Sequence, residues 1–108
     1  MNWITLTTMS ELDKIKEDSY QNPQFIFKHS TRCSISKMVL SRFESTNDSA
    51  SLSVYLLDLL NYRDLSNQIA DDFSVKHESP QLLVIKDNEC HTHSSHTSIH
   101  QLNLFELT

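Results

Sequence analysis

Cys33 and Ser36 stand three residues apart in the run Phe25-Ile26-Phe27-Lys28-His29-Ser30-Thr31-Arg32-Cys33-Ser34-Ile35-Ser36. The spacing is that of a C-x-x-C dithiol pair with serine in the second place. A thiol able to resolve an internal disulfide is therefore missing, and the pattern predicts one-thiol exchange with an outside partner. The competing reading is an ordinary cysteine at the start of a helix. Phe25 to Phe27 is a short apolar run suited to a strand, while Ile35, Met38, Val39 and Phe43 recur at helical spacing, so Cys33 is expected at a helix N-terminus. Unsatisfied N–H groups and the positive end of the helix dipole favour an anion there, and a thiolate is such an anion. Lys28, His29 and Arg32 are candidate cations within five residues of it. Thr31 and Ser36 either donate hydrogen bonds to the Cys33 sulfur or cap the turn and helix. Arg32 either stabilises the thiolate or holds a carboxylate of a small thiol, unless it is simply an exposed loop residue.

The remaining chemistry-bearing residues cluster near the C-terminus. Cys90, His91, His93, His96 and His100 are all metal-ligand types, but their spacing matches no closed zinc pattern. Strand alternation is expected to put Cys90 on the opposite face from His91 and His93, so no metal site is expected. Cys90 is expected at the far end of the strands from Cys33, beyond disulfide reach, as a bystander. His96 is expected back at the Cys33 end, either tuning the thiolate or contacting a small thiol, or else capping the last helix.

The elements that must position these groups follow from periodicity. Trp3 to Leu6 reads as a strand, followed by a helix opened by Ser10, with Asp13 three residues on, and carrying Leu12 and Ile15. The Phe25 strand and the Cys33 helix come next. Leu52, Val54, Leu56 and Leu57 form a third strand, and Leu65, Ile69 and Phe73 a third helix. Pro80 precedes the apolar strand Gln81 to Lys86, which Asp87-Asn88 turns into a further strand near Cys90. Thr97 to Glu106 closes the chain as a helix with Ile99, Leu102 and Phe105 on one face. Alternating strands and helices imply parallel strands joined by crossovers, with helices on both faces. The order β-α-β-α-β-α-β-β-α, with a central mixed sheet flanked by helices, is that of an α/β thioredoxin-like fold. In that arrangement Ser79-Pro80 falls where a cis proline stands beside the active-site helix, with nearby backbone placed to bind a substrate chain.

Composition sets the outer bounds. The 108 residues fit a single domain over 1–108 with one core, needing neither disulfides nor metal. Nine Lys+Arg against fourteen Asp+Glu give a net charge of -5 with no basic block, which argues against a nucleic-acid surface. No stretch is long and apolar enough to span a membrane, and the N-terminus lacks a signal-peptide pattern. Two cysteines are too few for a disulfide scaffold, so a reducing cytoplasm is the expected compartment. Glycine is absent, so Asn47-Asp48, Asn61 and Asp87-Asn88 are expected to supply the turns that need positive φ.

Three motifs in order, Phe27-Lys28-His29-Ser30-Thr31-Arg32-Cys33-Ser34-Ile35-Ser36, Leu65-Ser66-Asn67-Gln68-Ile69-Ala70 and Val75-Lys76-His77-Glu78-Ser79-Pro80-Gln81, closely resemble the YtxJ-like family. Ser95-His96 before Ile99 extends the likeness over nearly the whole chain. Members of that family are thioredoxin-like monothiol bacilliredoxins of the bacillithiol system. The resemblance implies removal of bacillithiol from proteins carrying it as a mixed disulfide. Cys33 would be the nucleophile, bacillithiolated proteins and the low-molecular-weight thiol the partners, and bacillithiol a co-substrate, with no cofactor. By their nearness to Cys33 and their place in the fold, Lys28, Thr31, Arg32, Ser36 and His96 are the candidate thiolate-stabilising or thiol-binding groups, and Ser79 and Pro80 the candidate site for the substrate backbone. Ser34 stands where the family often has proline, the residue best suited to the first helical position, which implies altered reactivity. The alternative is a peptide-binding or thiol-sensing module of the same fold without turnover.

Overall fold

The computed structural model describes residues 1–47 and 52–101. Its elements are β1 (Asn2–Thr5), α1 (Met9–Asp18), β2 (Gln24–His29), α2 (Ser34–Thr46), β3 (Ser53–Asp58), α3 (Arg63–Asp72), β4 (Gln81–Lys86), β5 (Glu89–Ser95) and a 3-10 segment, His96–Gln101. The expected order of strands and helices is present. The closing helix begins one residue earlier than expected, as a 3-10 segment, and its expected continuation through Leu102 and Phe105 lies outside the described residues. No helix among the described residues is long and apolar enough to cross a membrane.

The five strands form one mixed sheet in the order β1-β3-β2-β4-β5. β1 and β2 flank β3 in parallel, as the two helical crossovers require, while β4 runs antiparallel to both β2 and β5. Strand alternation divides the apolar residues between the two faces. Ile26, Leu57, Leu83 and Ile85 pack with Leu12 and Ile15 of α1 and with Leu65 and Ile69 of α3. Phe25, Phe27, Val54, Leu82 and Val84 pack with Val39 and Phe43 of α2 and with Ile99. At about 1.5–3 kcal/mol for each large apolar side chain buried, β2 and β4, lined on both faces, hold the centre of the sheet. Phe27 anchors the second face, its ring 5.4 Å from that of Phe43 and edge-on to Trp3 at 5.8 Å.

Several local details differ from the pattern reading. α1 is capped two residues earlier than Ser10: the Thr8 hydroxyl accepts from Glu11 N–H at 3.1 Å, and the Glu11 carboxylate accepts from Thr8 N–H at 3.0 Å, a reciprocal capping box. Ile35 and Met38, assigned to the apolar face of α2, are 50% and 38% exposed, because only Val39 and Phe43 of that series reach the sheet. Positive φ falls on Asp87 and Asn88, as expected, but also on Ser74 and His96. Asn47 takes φ -111° as a C-cap and Asn61 does not take positive φ, while Asp48 lies outside the described residues.

Candidate active site

The parity of β2 decides where its last side chains go. Phe27 faces α2, so the next residue, Lys28, faces the α1 and α3 side with Ile26. His29 ends the strand beneath α2, 7% exposed, and its carbonyl accepts from Leu59 N–H at 3.1 Å. The turn then closes on itself, with Cys33 N–H donating to Ser30 O at 3.2 Å and the Cys33 carbonyl taking the first helical bond from Lys37 N–H at 3.1 Å. Cys33 is thus the N-cap of α2, extended at φ -102° and ψ 118°, with no capping bond from its side chain. Its thiol is free and the residue half-buried, at the end of α2 where the first-turn amides have no partner in the helix. A thiolate formed there meets the positive end of the helix dipole.

Ser36, one turn in, is fully buried. Its hydroxyl oxygen accepts from Ser30 N–H at 3.1 Å and lies 2.7 Å from His29 Nδ1. Ser36 Oγ thus bridges the Ser30 amide and the His29 ring. Burial pushes the His29 pKa down, Asp58 opposes that, and Lys37 adds to it, so the neutral ring is the favoured form. Ser36 was expected either to bond the sulfur or to cap the helix; the bonds it makes instead pin the loop that carries the sulfur. Thr31 and Arg32 are exposed in the same turn, and neither makes a side-chain hydrogen bond or ion pair among the described residues.

Lys28 was expected near Cys33 from sequence distance alone. Strand alternation carries it to the other face, where it is completely buried, and Nζ donates to Ser66 O at 3.0 Å and lies 3.3 Å from His77 Nδ1. Desolvation lowers its pKa to about 8. Ser66 Oγ also reaches His77 Nδ1, at 3.2 Å. Gln81, the cross-strand partner of Lys28, donates through Nε2 to Lys76 O at 3.0 Å while its buried Oε1 has no partner. Lys28, Ser66 and Gln81, all buried, thus form with the exposed His77 a polar cluster that was not anticipated as a unit. The available signal was parity: a lysine two residues after Ile26, on the apolar side of a strand.

The Ser79-Pro80 peptide is cis, as expected. Since Gln81 pairs with Lys28 on one side and Ser95 on the other, Pro80 and His96 lie at the end of the sheet where β2 runs into the Cys33 turn. His96 N–H donates to Pro80 O at 2.9 Å, so that carbonyl is already engaged, whereas Ser79 Oγ is buried without a partner. The His96 side chain is exposed close to Glu78, whose carboxyl is held below its ordinary range first by the Ser95 hydroxyl and then by His96, Lys76 and His93. Cys90 lies opposite Ile85 near the hairpin, its pKa raised by burial. One expectation about β5 is corrected by its register. A bulge skips His91, so Cys90 pairs with Ile85 and His93 with Leu83, which places Cys90 and His93 on the same face. Among the described residues no group of three His, Cys, Asp or Glu side chains could hold a metal ion.

This geometry coincides with family and structural likeness. The sequence model of a family described as monothiol bacilliredoxin BrxC matches residues 4–104. A solved structure described as a candidate oxidoreductase with a thioredoxin fold superposes with a TM-score of 0.82 at 30% identity, over 97% of this chain and 89% of that one. Reduced thioredoxin pre-protein from Schistosoma mansoni gives 0.74 at 14% identity over 99% and 95% of the two chains, and spinach chloroplast thioredoxin f 0.72 at 12% over 98% and 89%. The last two establish the thioredoxin fold alone.

Proposed function

We propose, from the premise that this chain belongs to the monothiol bacilliredoxin family, that it is a thiol-disulfide oxidoreductase that removes bacillithiol from protein mixed disulfides, with Cys33 as nucleophile. The observation that carries this reading is the N-cap position of a free Cys33 with Ser36 in the place of a resolving thiol. The Cys33 thiolate attacks the bacillithiol sulfur of the mixed disulfide, forming a Cys33–bacillithiol disulfide and breaking the bond to the target. The target leaves as thiolate and takes a proton from water; it is reduced, and Cys33 is oxidised. A second thiol then attacks the adduct and restores Cys33. Ser36 and His29 hold the turn that presents the sulfur, Thr31 and Arg32 line its exposed side, and the Ser79-Pro80 segment with His96 borders the approach of the target chain. Bacillithiol is a co-substrate, no cofactor takes part, the unit is one domain, and a reducing cytoplasm suits the chemistry.

The test is to mix the reduced protein with a bacillithiolated model protein and read intact masses with a peptide map. One bacillithiol adduct is expected on Cys33, lost in Cys33→Ser and retained in Cys90→Ser. Transfer that persists in Cys33→Ser would overturn the assignment.

A further inference from the structure

Lys28 is a fully buried cation whose two hydrogen-bond partners are a backbone carbonyl and an imidazole; it has no ion pair among the described residues. A buried charge without a counter-charge is costly, and an anion placed close by would offset that cost. Both partners of Lys28, Ser66 and His77, line a cavity of about 100 Å³ whose other walls are Leu59, Arg63 and Asn67. No carboxylate lines it. With Lys28 donating to His77 Nδ1, the neutral ring carries its own proton on Nε2, and the polar residues that line the space, Arg63, Ser66, Asn67 and His77, are all of types able to donate. Burial first, then Lys28 and Arg63, push the His77 pKa down, while Glu78 opposes them. The space is large enough to take a carboxylate group. The wider hollow of about 400 Å³ beside it, between Thr7, Met9 and Leu60 to Leu65, shares Arg63 but also carries Asp64.

We infer that this cavity is a carboxylate-binding subsite, which receives an acidic end of the disulfide substrate while Cys33 attacks the sulfur. Its place supports that use: Leu59 in its wall donates to the carbonyl of His29, the last strand residue before the Cys33 turn, and His77 lies three residues before the cis proline. The inference rests on the oxidoreductase reading for its substrate and on the Lys28 cluster for its chemistry.

Two measurements test it in the intact protein. Acetate titrated against the reduced protein, followed by NMR at the His77 ring, should give a saturable shift that Arg63→Gln weakens roughly tenfold, as loss of a charge-assisted hydrogen bond predicts. Absence of saturation, or equal affinity in the variant, would overturn the subsite. Cys33 should also react several-fold faster with 3,3′-dithiodipropionate than with neutral 2-hydroxyethyl disulfide, and Arg63→Gln should reduce that ratio. Equal rates for the two disulfides would refute the link to substrate. If Cys33 reacted with neither, the redox reading would fail while the acetate titration still decided the site. Repeating the ratio with a bacillithiolated target whose flanking acidic residues are neutralised separates the two carboxylate sources. A surviving Arg63 effect assigns the carboxylate to the small thiol, and a lost one to the target.

Discussion

Replacing Lys28 by methionine should change not only how stable the protein is but how stability depends on pH. The lysine is completely buried, and its pKa falls from 10.5 to about 8 because desolvation disfavours the ammonium. At about 1.4 kcal/mol per pH unit, that fall corresponds to about 3 kcal/mol. Between pH 8 and 10.5 the unfolded chain holds more protons at this site than the native one, so native stability rises with pH across that window. Below pH 8 the native lysine is charged and the whole cost is present; above 10.5 it is neutral in both states and the cost is gone. Lys28→Met removes this step but leaves Ser66 O and His77 Nδ1 without their donor, at a cost of roughly 1–3 kcal/mol. Near neutrality the two effects nearly cancel, so the variant should match the parent or exceed it slightly; at pH 10.5 it should be clearly less stable. Urea unfolding followed by Trp3 fluorescence from pH 6.5 to 10.5 gives both curves, and subtraction removes titrations common to the two proteins. Their difference should climb by about 3 kcal/mol with pH. A flat difference would mean that Lys28 titrates as a hydrated lysine, and the argument for an uncompensated buried charge would fail.

Ser36→Ala should orphan the buried Ser30 N–H and His29 Nδ1 together, lowering stability by about 2 kcal/mol and slowing exchange at Cys33. Thermal melts and adduct-formation rates check the two effects, and an unchanged rate would show that the clamp has no part in presenting the sulfur. Thr8→Ala removes one half of the α1 capping box and should cost about 1 kcal/mol, or about 4 °C in Tm, without altering exchange.

The succession of elements was legible because each strand and helix carries its own periodicity, and the sheet order follows from crossovers between parallel strands. Cys33 at a helix start and the cis peptide before Gln81 were legible too, the first from the switch in period after Phe27 and the second from where the fold places that proline. What escaped were consequences of parity and of the third dimension. Distance along the chain grouped Lys28 with Cys33, yet one residue of alternation sends it through the sheet to α3. The single-residue bulge at His91 reverses the parity of β5 on one side, a shift invisible to a count of alternating residues. Helical spacing placed Ile35 and Met38 in the core although both lie on the exposed side of α2, and Ser36, Val39 and Phe43 are its buried residues. His77 and Ser66 were visible as residues but not as partners, since they lie eleven positions apart along helix and loop until the chain folds.

A chain without a single glycine reaches positive φ at Ser74, Asp87, Asn88 and His96 with side chains in place. Left-handed backbone costs a residue with a Cβ about 1–2 kcal/mol, and less for Asp and Asn. Every such residue also has fewer shapes open to it when the chain is denatured, worth about 0.4–1 kcal/mol relative to glycine. At Asp87 and Asn88 the second effect can outweigh the first, whereas at Ser74 and His96 the first is the larger. Part of this fold's stability therefore comes from narrowing the denatured ensemble, a contribution that no inventory of native contacts would record.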